Sequence, residues 1–273
     1  MKFSKSLSIL LLGALAVACS TNPFTGKQTL ALVPNSQILP MAFQQYQEFL
    51  SEHKVVNNTA DARMVKSVGQ KIAAAAERYL TANGYAGYLA DYRWEYNLVD
   101  SKEVNAWCMP GGKIVVYTGI LPITKDEAGL AAVMGHEVAH ALANHGQQRM
   151  SAAQLQQVGA VAGNIALANN PENQQIFNTA YGLGTNVGVM LPFSRSHETE
   201  ADHIGLILMA IAGYEPAVAA ELWQRMQAQE NGNTPPEFLS THPSSSTRIQ
   251  NIQAWAPEAR AEARKFGVTN FKR

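Results

Sequence analysis

Two cysteines in 273 residues are too few for a disulfide framework. Net charge is also lacking: 21 basic side chains balance 21 acidic ones, and lysine and arginine form no run. A nucleic-acid partner is therefore excluded, because such binding begins with a basic patch. No apolar run crosses a bilayer comfortably, the best being Leu7 to Val17. The later apolar stretch from Gln147 to Ala168 is interrupted by Gln154, Gln156, Gln157 and Asn164. Internal repeats and low-complexity tracts are missing too. What remains is 47% hydrophobic, enough for one large domain with a real core.

Residues 1–18 read as a signal peptide, with Lys2 and Lys5 ahead of the apolar run. Without those two lysines, 21 basic side chains become 19 against 21 acidic ones. Ala16-Val17-Ala18-Cys19 has two readings. It is an ordinary signal-peptidase site, or a bacterial lipoprotein box in which Cys19 is acylated. Ala16 stands where such boxes usually carry leucine. The cysteine at the one decisive position favours lipidation, and several acyl chains would anchor the domain stably. Ser20, in place of aspartate, resembles outer-membrane sorting. The expected location is the periplasm, on the outer membrane. Residues 19–34 read as a tether with turns, and 35–273 as the folded domain. Cys108 reads as a small core hydrophobe, or as a disulfide partner of Cys19 if that residue is not acylated.

Helical spacing is expected from Asn35 to about Glu52 and from Asn57-Asn58-Thr59 to about Ala82, with Asn83-Gly84 as the stop. Strands follow at Arg93–Val99, Val104–Met109 and Lys113–Thr118, the last two separated by Pro110-Gly111-Gly112. A helix runs from Thr124, capped by Thr124 with Glu127, to His145. Further helices are expected at 147–168 and 173–190, the last with Gly182, Gly184 and Gly188 suited to close packing.

The Thr124–His145 helix contains His136-Glu137-Val138-Ala139-His140. Positions i and i+4 share a helix face, so the two imidazoles can hold one zinc ion from the same side. Glu137 stands where the motif places the base that takes a proton from water. The bland alternative is a core helix with two satisfied histidines. It would bury three polar groups along an apolar helix with no partner for them.

A catalytic zinc site needs a third protein ligand and one open position. His145 lies roughly 140° around the helix from His140. Ala143 and Gly146 occupy the positions where an extended motif needs Gly and His. The better candidate is Ser194-Arg195-Ser196-His197-Glu198-Thr199-Glu200-Ala201-Asp202. Glu198 can ligate zinc, and Asp202, four residues on, can accept the outward ring N–H of a bound histidine. The alternative is a charged, exposed helix face. Lys113-Ile114-Val115 lies just before the metal helix and can pair with an extended substrate, or be an ordinary core strand.

Together, His136-Glu137-x-x-His140 and Ser194-Arg195-x-x-Glu198-x-x-Ala201-Asp202 resemble the Ste24/HtpX-type zinc metallopeptidases, of the gluzincin class. The likeness is greater to their soluble periplasmic lipoprotein members and to the OMA-type peptidases. Asn22-Pro23-Phe24-Thr25-Gly26-Lys27-Gln28, Asn105-Ala106, Pro110-Gly111-Gly112 and Ser240-Thr241-His242-Pro243 are similar to elements of these members. The resemblance implies one Zn2+ per chain on His136, His140 and Glu198, with Glu137 as base and Asp202 behind a ligand. It implies a mobile His242 that approaches the zinc and an Arg248 beside it, either of which could donate to a developing oxyanion. Asn105 and Ala106 join Lys113, Ile114 and Val115 as expected substrate-binding positions. The implied fold is α+β, predominantly helical and zincin-like, with a small sheet beside the metal-binding helix. The expected activity is endopeptidase cleavage of unfolded or misassembled envelope proteins. A zinc-stabilised chaperone with envelope assembly partners is the alternative.

Overall fold

A computed structural model describes residues 19–185, 190–230 and 236–273. The expected signal peptide, residues 1–18, lies outside them, as does Gly188. The fold is predominantly helical α+β with two small sheets. The chain forms two compact units. One comprises residues up to Ile38 together with Asn144–His197, the other Leu39–Ala143 together with Glu198–Arg273. Among the described residues no helix is long and apolar enough to cross a membrane.

In the first unit, β1 (Cys19–Thr21) and β2 (Gln28–Leu30) form an antiparallel ribbon where the sequence suggests a tether. The ribbon leads to α5 (His145–Ala166), whose Ser151 Oγ accepts from Leu32 N–H at 3.0 Å. Helix α6 (Pro171–Thr185) packs beside α5. Their closeness depends on Gly159 and Gly163, where an added Cβ would collide with Tyr181 and Phe177. Gly182 and Gly184, expected to serve that purpose, face open space.

The second unit is built on a four-stranded sheet of β3 (Val55–Val56), β4 (Glu95–Val99), β5 (Ala106–Met109) and β6 (Lys113–Tyr117). The strand order is β3-β4-β6-β5, with β4 and β6 parallel and the other pairs antiparallel. The period-2 alternation of Val99, Val115, Tyr117, Trp107 and Met109 presents one face to Tyr46 and Phe49 of α1 (Asn35–Glu52). The site helix α4 (Glu127–Leu142) packs against β5, and α2 (Ala60–Ala82) against both α4 and β4. Thr59 caps α2 by accepting from Ala62 N–H, close to the expected start.

Helix α4 starts later than expected. A separate turn, α3 (Leu121–Thr124), ends at Lys125, which takes a left-handed φ of 69°. Asp126 then caps α4 by accepting from Gly129 N–H at 2.8 Å, so the Thr124–Glu127 capping box does not form. An Asp side chain reaches the N3 amide directly, and Thr124 is spent in the preceding turn. The remaining helices are α7 (Leu191–Ile211), α8 (Val218–Glu230), α9 (Glu237–Thr241) and α10 (Ser246–Lys265).

Candidate metal centre

Every residue of α4 from Ala128 to Leu142 is buried. Its apolar side chains fill the core, and His136, Glu137 and His140 go inside with them. Burial on all sides requires neighbours to approach, and two glycines permit it. A Cβ on Gly135 would lie 2.9 Å from Gly205 O of α7, and a Cβ on Gly205 would lie 2.9 Å from His136 N. At this crossing the two backbones nearly touch. Glu198, two turns before Gly205, and Asp202, one turn before it, are thereby presented to His136 and His140. The sequence holds a signal for this crossing, glycine inside a helical pattern, which marks close backbone approach.

The structure brings His136, His140, Glu198 and His242 together, all buried, with one potential ligand atom from each within 4.8 Å of the others. His136 Nε2 and His140 Nε2 are 3.1 Å apart. Glu198 Oε2 is 3.3 Å from His136 Nε2, and its Oε1 is 3.3 Å from His140 Nε2. Ligand atoms on a tetrahedral ion at 2.0–2.1 Å are roughly 3.3 Å apart, so these three side chains fit a divalent metal. His242 Nδ1 stands at the remaining corner, 3.2 Å from His136 Nε2 and 2.9 Å from Glu198 Oε2. Its Nε2 lies 3.4 Å from Glu137 Oε1.

Behind this cluster Asp202 Oδ1 sits 3.0 Å from His136 Nδ1, which leaves Nε2 turned toward the other ligands. Arg248, in the first turn of α10, donates from Nε and Nη2 to the two Asp202 oxygens at 2.6 and 2.7 Å. Its Nη1 donates to Pro243 O at 3.1 Å and to His242 O at 3.4 Å, and its guanidinium lies 3.4 Å from the centre of the Trp223 ring. Its Nη2 also stands 3.2 Å from Glu198 Oε2 and 3.3 Å from His136 Nε2, so one edge of the guanidinium faces the ligand group. Its other donors engage Asp202 and the carbonyls of the His242 loop, which gives it a positioning role at the edge of the site. Ser245 caps α10 by accepting from Arg248 N–H. Trp223 and Phe238, which pack around His136 and His242, were not singled out from the sequence. Their spacing is that of ordinary core.

Charge follows this geometry. Burial acts against the imidazolium of His136, but bonds to Asp202 and Glu198 outweigh it and push the pKa up to about 9. Burial pushes His140 well below the ordinary histidine value. Glu198 is buried too, yet contacts with three histidines hold its carboxyl well below the usual range. Asp202 is likewise lowered against burial, chiefly by the charge of Arg248. A buried carboxylate held ionised by converging imidazoles is the donor set a divalent cation takes.

Three expected substrate positions are corrected. Lys113, Ile114 and Val115 lie on β6, which is paired along both edges, with β4 on one side and β5 on the other. No backbone group there is left for a peptide. The Lys113 side chain is also buried, donating to Arg93 O at 2.6 Å and pairing with Glu95. Asn105 and Ala106 lie at the start of β5, the outermost strand beside α4. Tyr117 N–H donates to Asn105 O, so alternation turns the backbone groups of Ala106 and Cys108 outward. Asn105 Oδ1 accepts from Ala106 N–H at 2.9 Å.

His145 and His197 stack with ring centroids 4.1 Å apart and lie outside the ligand group. No disulfide joins Cys19, which is exposed, to Cys108, whose thiol pKa is raised by burial.

Comparison with known proteins agrees with the geometry. "Mitochondrial metalloendopeptidase OMA1" of Schizosaccharomyces pombe is 36% identical over 226 residues, 81% of this chain and 62% of that protein. The human OMA1 is 27% identical, covering 87% of this chain and 46% of its own length. "Beta-barrel assembly-enhancing protease" of Escherichia coli is 24% identical, covering 95% and 54%. The chain thus spans about half to three fifths of the length of these relatives. Residues 59–256 match Peptidase family M48, which takes in α2, strands β4 to β6 and every residue of the His136–His140–Glu198–His242 group, and the chain belongs to that family.

Proposed function

We propose that this protein is a zinc-dependent endopeptidase that cuts unfolded or misassembled proteins of the bacterial envelope. The observation that carries the reading is the convergence of His136, His140 and Glu198 at ligand spacing with Glu137 beside them. Zinc, when bound, acidifies a coordinated water and polarises the scissile carbonyl. His136, His140 and Glu198 hold the metal, with Asp202 fixing the tautomer of His136. Glu137 takes the proton from the attacking water and returns it to the leaving amine. His242, once it leaves Glu198, is placed to donate to the oxyanion. The substrate lies extended along the free edge of β5, bonded to the outward C=O of Ala106 and the outward backbone groups of Cys108. Such pairing selects unfolded chain, because a folded segment has no free backbone to offer.

The anchor belongs to the same proposal. Cys19, exposed at the start of β1, is acylated and holds residues 35–273, the peptidase domain, to the outer membrane in the periplasm. The relative named for β-barrel assembly supports an envelope role.

The test is incubation of the protein with an unfolded protein, with and without a zinc chelator, beside Glu137→Gln. The variant is expected to keep its zinc and to lose cleavage by about 10²–10⁴-fold. Cleavage retained in the zinc-loaded variant would remove Glu137 from its role.

A second reading is favoured by His242, whose ring sits at the fourth corner of the ligand group. In it the protein is a zinc-stabilised chaperone or assembly factor held away from proteolysis. Complementation by Glu137→Gln separates the two, since rescue by the cleavage-dead variant supports the second.

A further inference from the structure

The four-stranded sheet has a second open edge, opposite β5. β3 is two residues long and pairs only with Leu98 and Val99. It stops because Asn58 adopts a left-handed φ of 61° and Thr59 then caps α2. Arg63 Nη1 donates to Asn58 O at 3.1 Å and holds that turn. The first half of β4 is left without a neighbour on this side.

The direction of the backbone groups follows from their neighbours. Arg93 and Glu95 N–H donate to Gly111 O and Gly112 O, toward β6. Asp100 N–H donates to Lys54 O, on the β3 side. Alternation therefore turns the N–H and C=O of Trp94 and Tyr96 to the side β3 has vacated. No described residue donates to them or accepts from them. Beside them lies a cleft of about 470 Å³ whose walls include Val56, Asn58, Arg63, Lys66, Gln70 and Tyr96.

Its floor is rigid. Tyr96 lies against Gly69 of α2 and Trp94 against Gly112, where added Cβ atoms would overlap the rings. The two rings are within 9° of parallel. The charge is one-sided. Arg63 and Lys66 stand on one face of α2, three residues apart and exposed. The one carboxylate in the lining, Glu95, is paired with Lys113. Lysine at an exposed edge can serve simply to repel other strands. Here a walled slot accompanies the cations, and the outward backbone groups offer a ladder to an added strand.

We propose that this cleft docks an extended acidic segment of a partner protein, added to β4 where β3 leaves off. Backbone bonds to Trp94 and Tyr96 supply the pairing, and Asp or Glu at alternate positions meets Arg63 and Lys66. Alternate residues of a strand are about 6.6 Å apart, matching the roughly 5–6 Å between side chains three apart on a helix. The docking site stands apart from the metal centre and does not depend on its chemistry.

The test uses three fluorescent heptapeptides with the full chain carrying Glu137→Gln, so that no probe is cut. One alternates Val with Glu, the second alternates Val with Lys, and the third is the acidic probe with a central Pro. The acidic probe is expected to bind at least tenfold more tightly than the other two. Lys66→Glu, at an exposed position, is expected to weaken it at least tenfold while the circular dichroism stays unchanged. Amide exchange is expected to slow at Trp94 and Tyr96. Equal binding of acidic and basic probes, no binding of the acidic probe, or full binding to Lys66→Glu would overturn the proposal. Protection at Ala106 and Cys108 in place of Trp94 and Tyr96 would overturn it as well.

Discussion

Helices α4 and α5 follow one another in the chain and are both rich in alanine, yet they end in opposite environments. Of α4, everything from Ala128 to Leu142 is buried, including a histidine pair and a glutamate. Helix α5 leaves Leu155, Val158, Val161 and Ile165 exposed, a stripe at helical spacing. From Met150 to Pro171 it and the following turn carry no charged residue. Apolar content therefore does not decide burial. What differs is which face the glycines open. In α4, Gly135 admits the backbone of α7 and with it two acidic side chains. In α5, Gly159 and Gly163 admit only the rings of α6, and the adjoining stripe is left uncovered. The same device, a glycine under a neighbour, builds a site in one place and a plain hairpin in the other.

The largest effect on this contrast is expected from Arg248→Leu, which leaves Asp202 ionised and buried without its cation. Breaking such a pair costs about 3–5 kcal/mol, to be read as a shift in the urea midpoint. The same variant is expected to weaken zinc retention, since Asp202 loses the two bonds that brace it against His136. An unchanged midpoint would show that the Asp202–Arg248 pair is not structural.

Gly205→Val comes next. Its added carbons meet His136 N and force α4 and α7 apart, an overpacking cost of about 1–3 kcal/mol. Zinc affinity is expected to fall with stability, because the crossing sets the ligand spacing. Full zinc affinity in this variant would uncouple the glycine crossing from the site.

A smaller effect concerns acid. Burial raises the pKa of Glu215, but its bond with Arg260 outweighs that and lowers it below the ordinary glutamate value. A depressed carboxyl stabilises the folded chain above the unfolded pKa of about 4.5 and loses that contribution as pH falls through the folded value. Glu215→Gln should therefore flatten the fall of melting temperature below about pH 4.5. An unaltered acid limb would place the acid sensitivity elsewhere.

The least is expected from Val158→Ser with Ile165→Ser on the α5 stripe. Both side chains are more than half exposed, so each change should stay within about 0.5 kcal/mol. A loss several times larger would mean that the stripe is covered in solution.

Much of this contrast could be read before any fold was known. The i, i+4 pairs His136/His140 and Glu198/Asp202 each fix their partners on one helix face, because a helix period is local. Strand and helix order was legible for the same reason, from spacing that switches between 2 and 3.6. The start of α4 was misplaced, because both Thr124 and Asp126 are sound caps and only the turn at Lys125 selects between them. The role of β6 was misjudged for a different cause. Lys113-Ile114-Val115 looks equally well suited to an edge and a centre, and strand order is not a local property. Arg248 was likewise placed near the site correctly, while its donors went to Asp202 and to a loop that the sequence does not position.

The chain's own letters specified the ligand types, their spacing within each helix and the chemistry those types can perform, since these depend on covalent neighbours and a fixed helical pitch. Folding in three dimensions decided that Glu198 meets His140 across 58 residues of sequence, that Arg248 braces Asp202 and the His242 loop, and that among the described residues β5 and the start of β4 are the open edges of the four-stranded sheet. The physical reason is that these outcomes turn on which backbones can approach, and that is settled by packing at Gly135 and Gly205 and by where β3 stops.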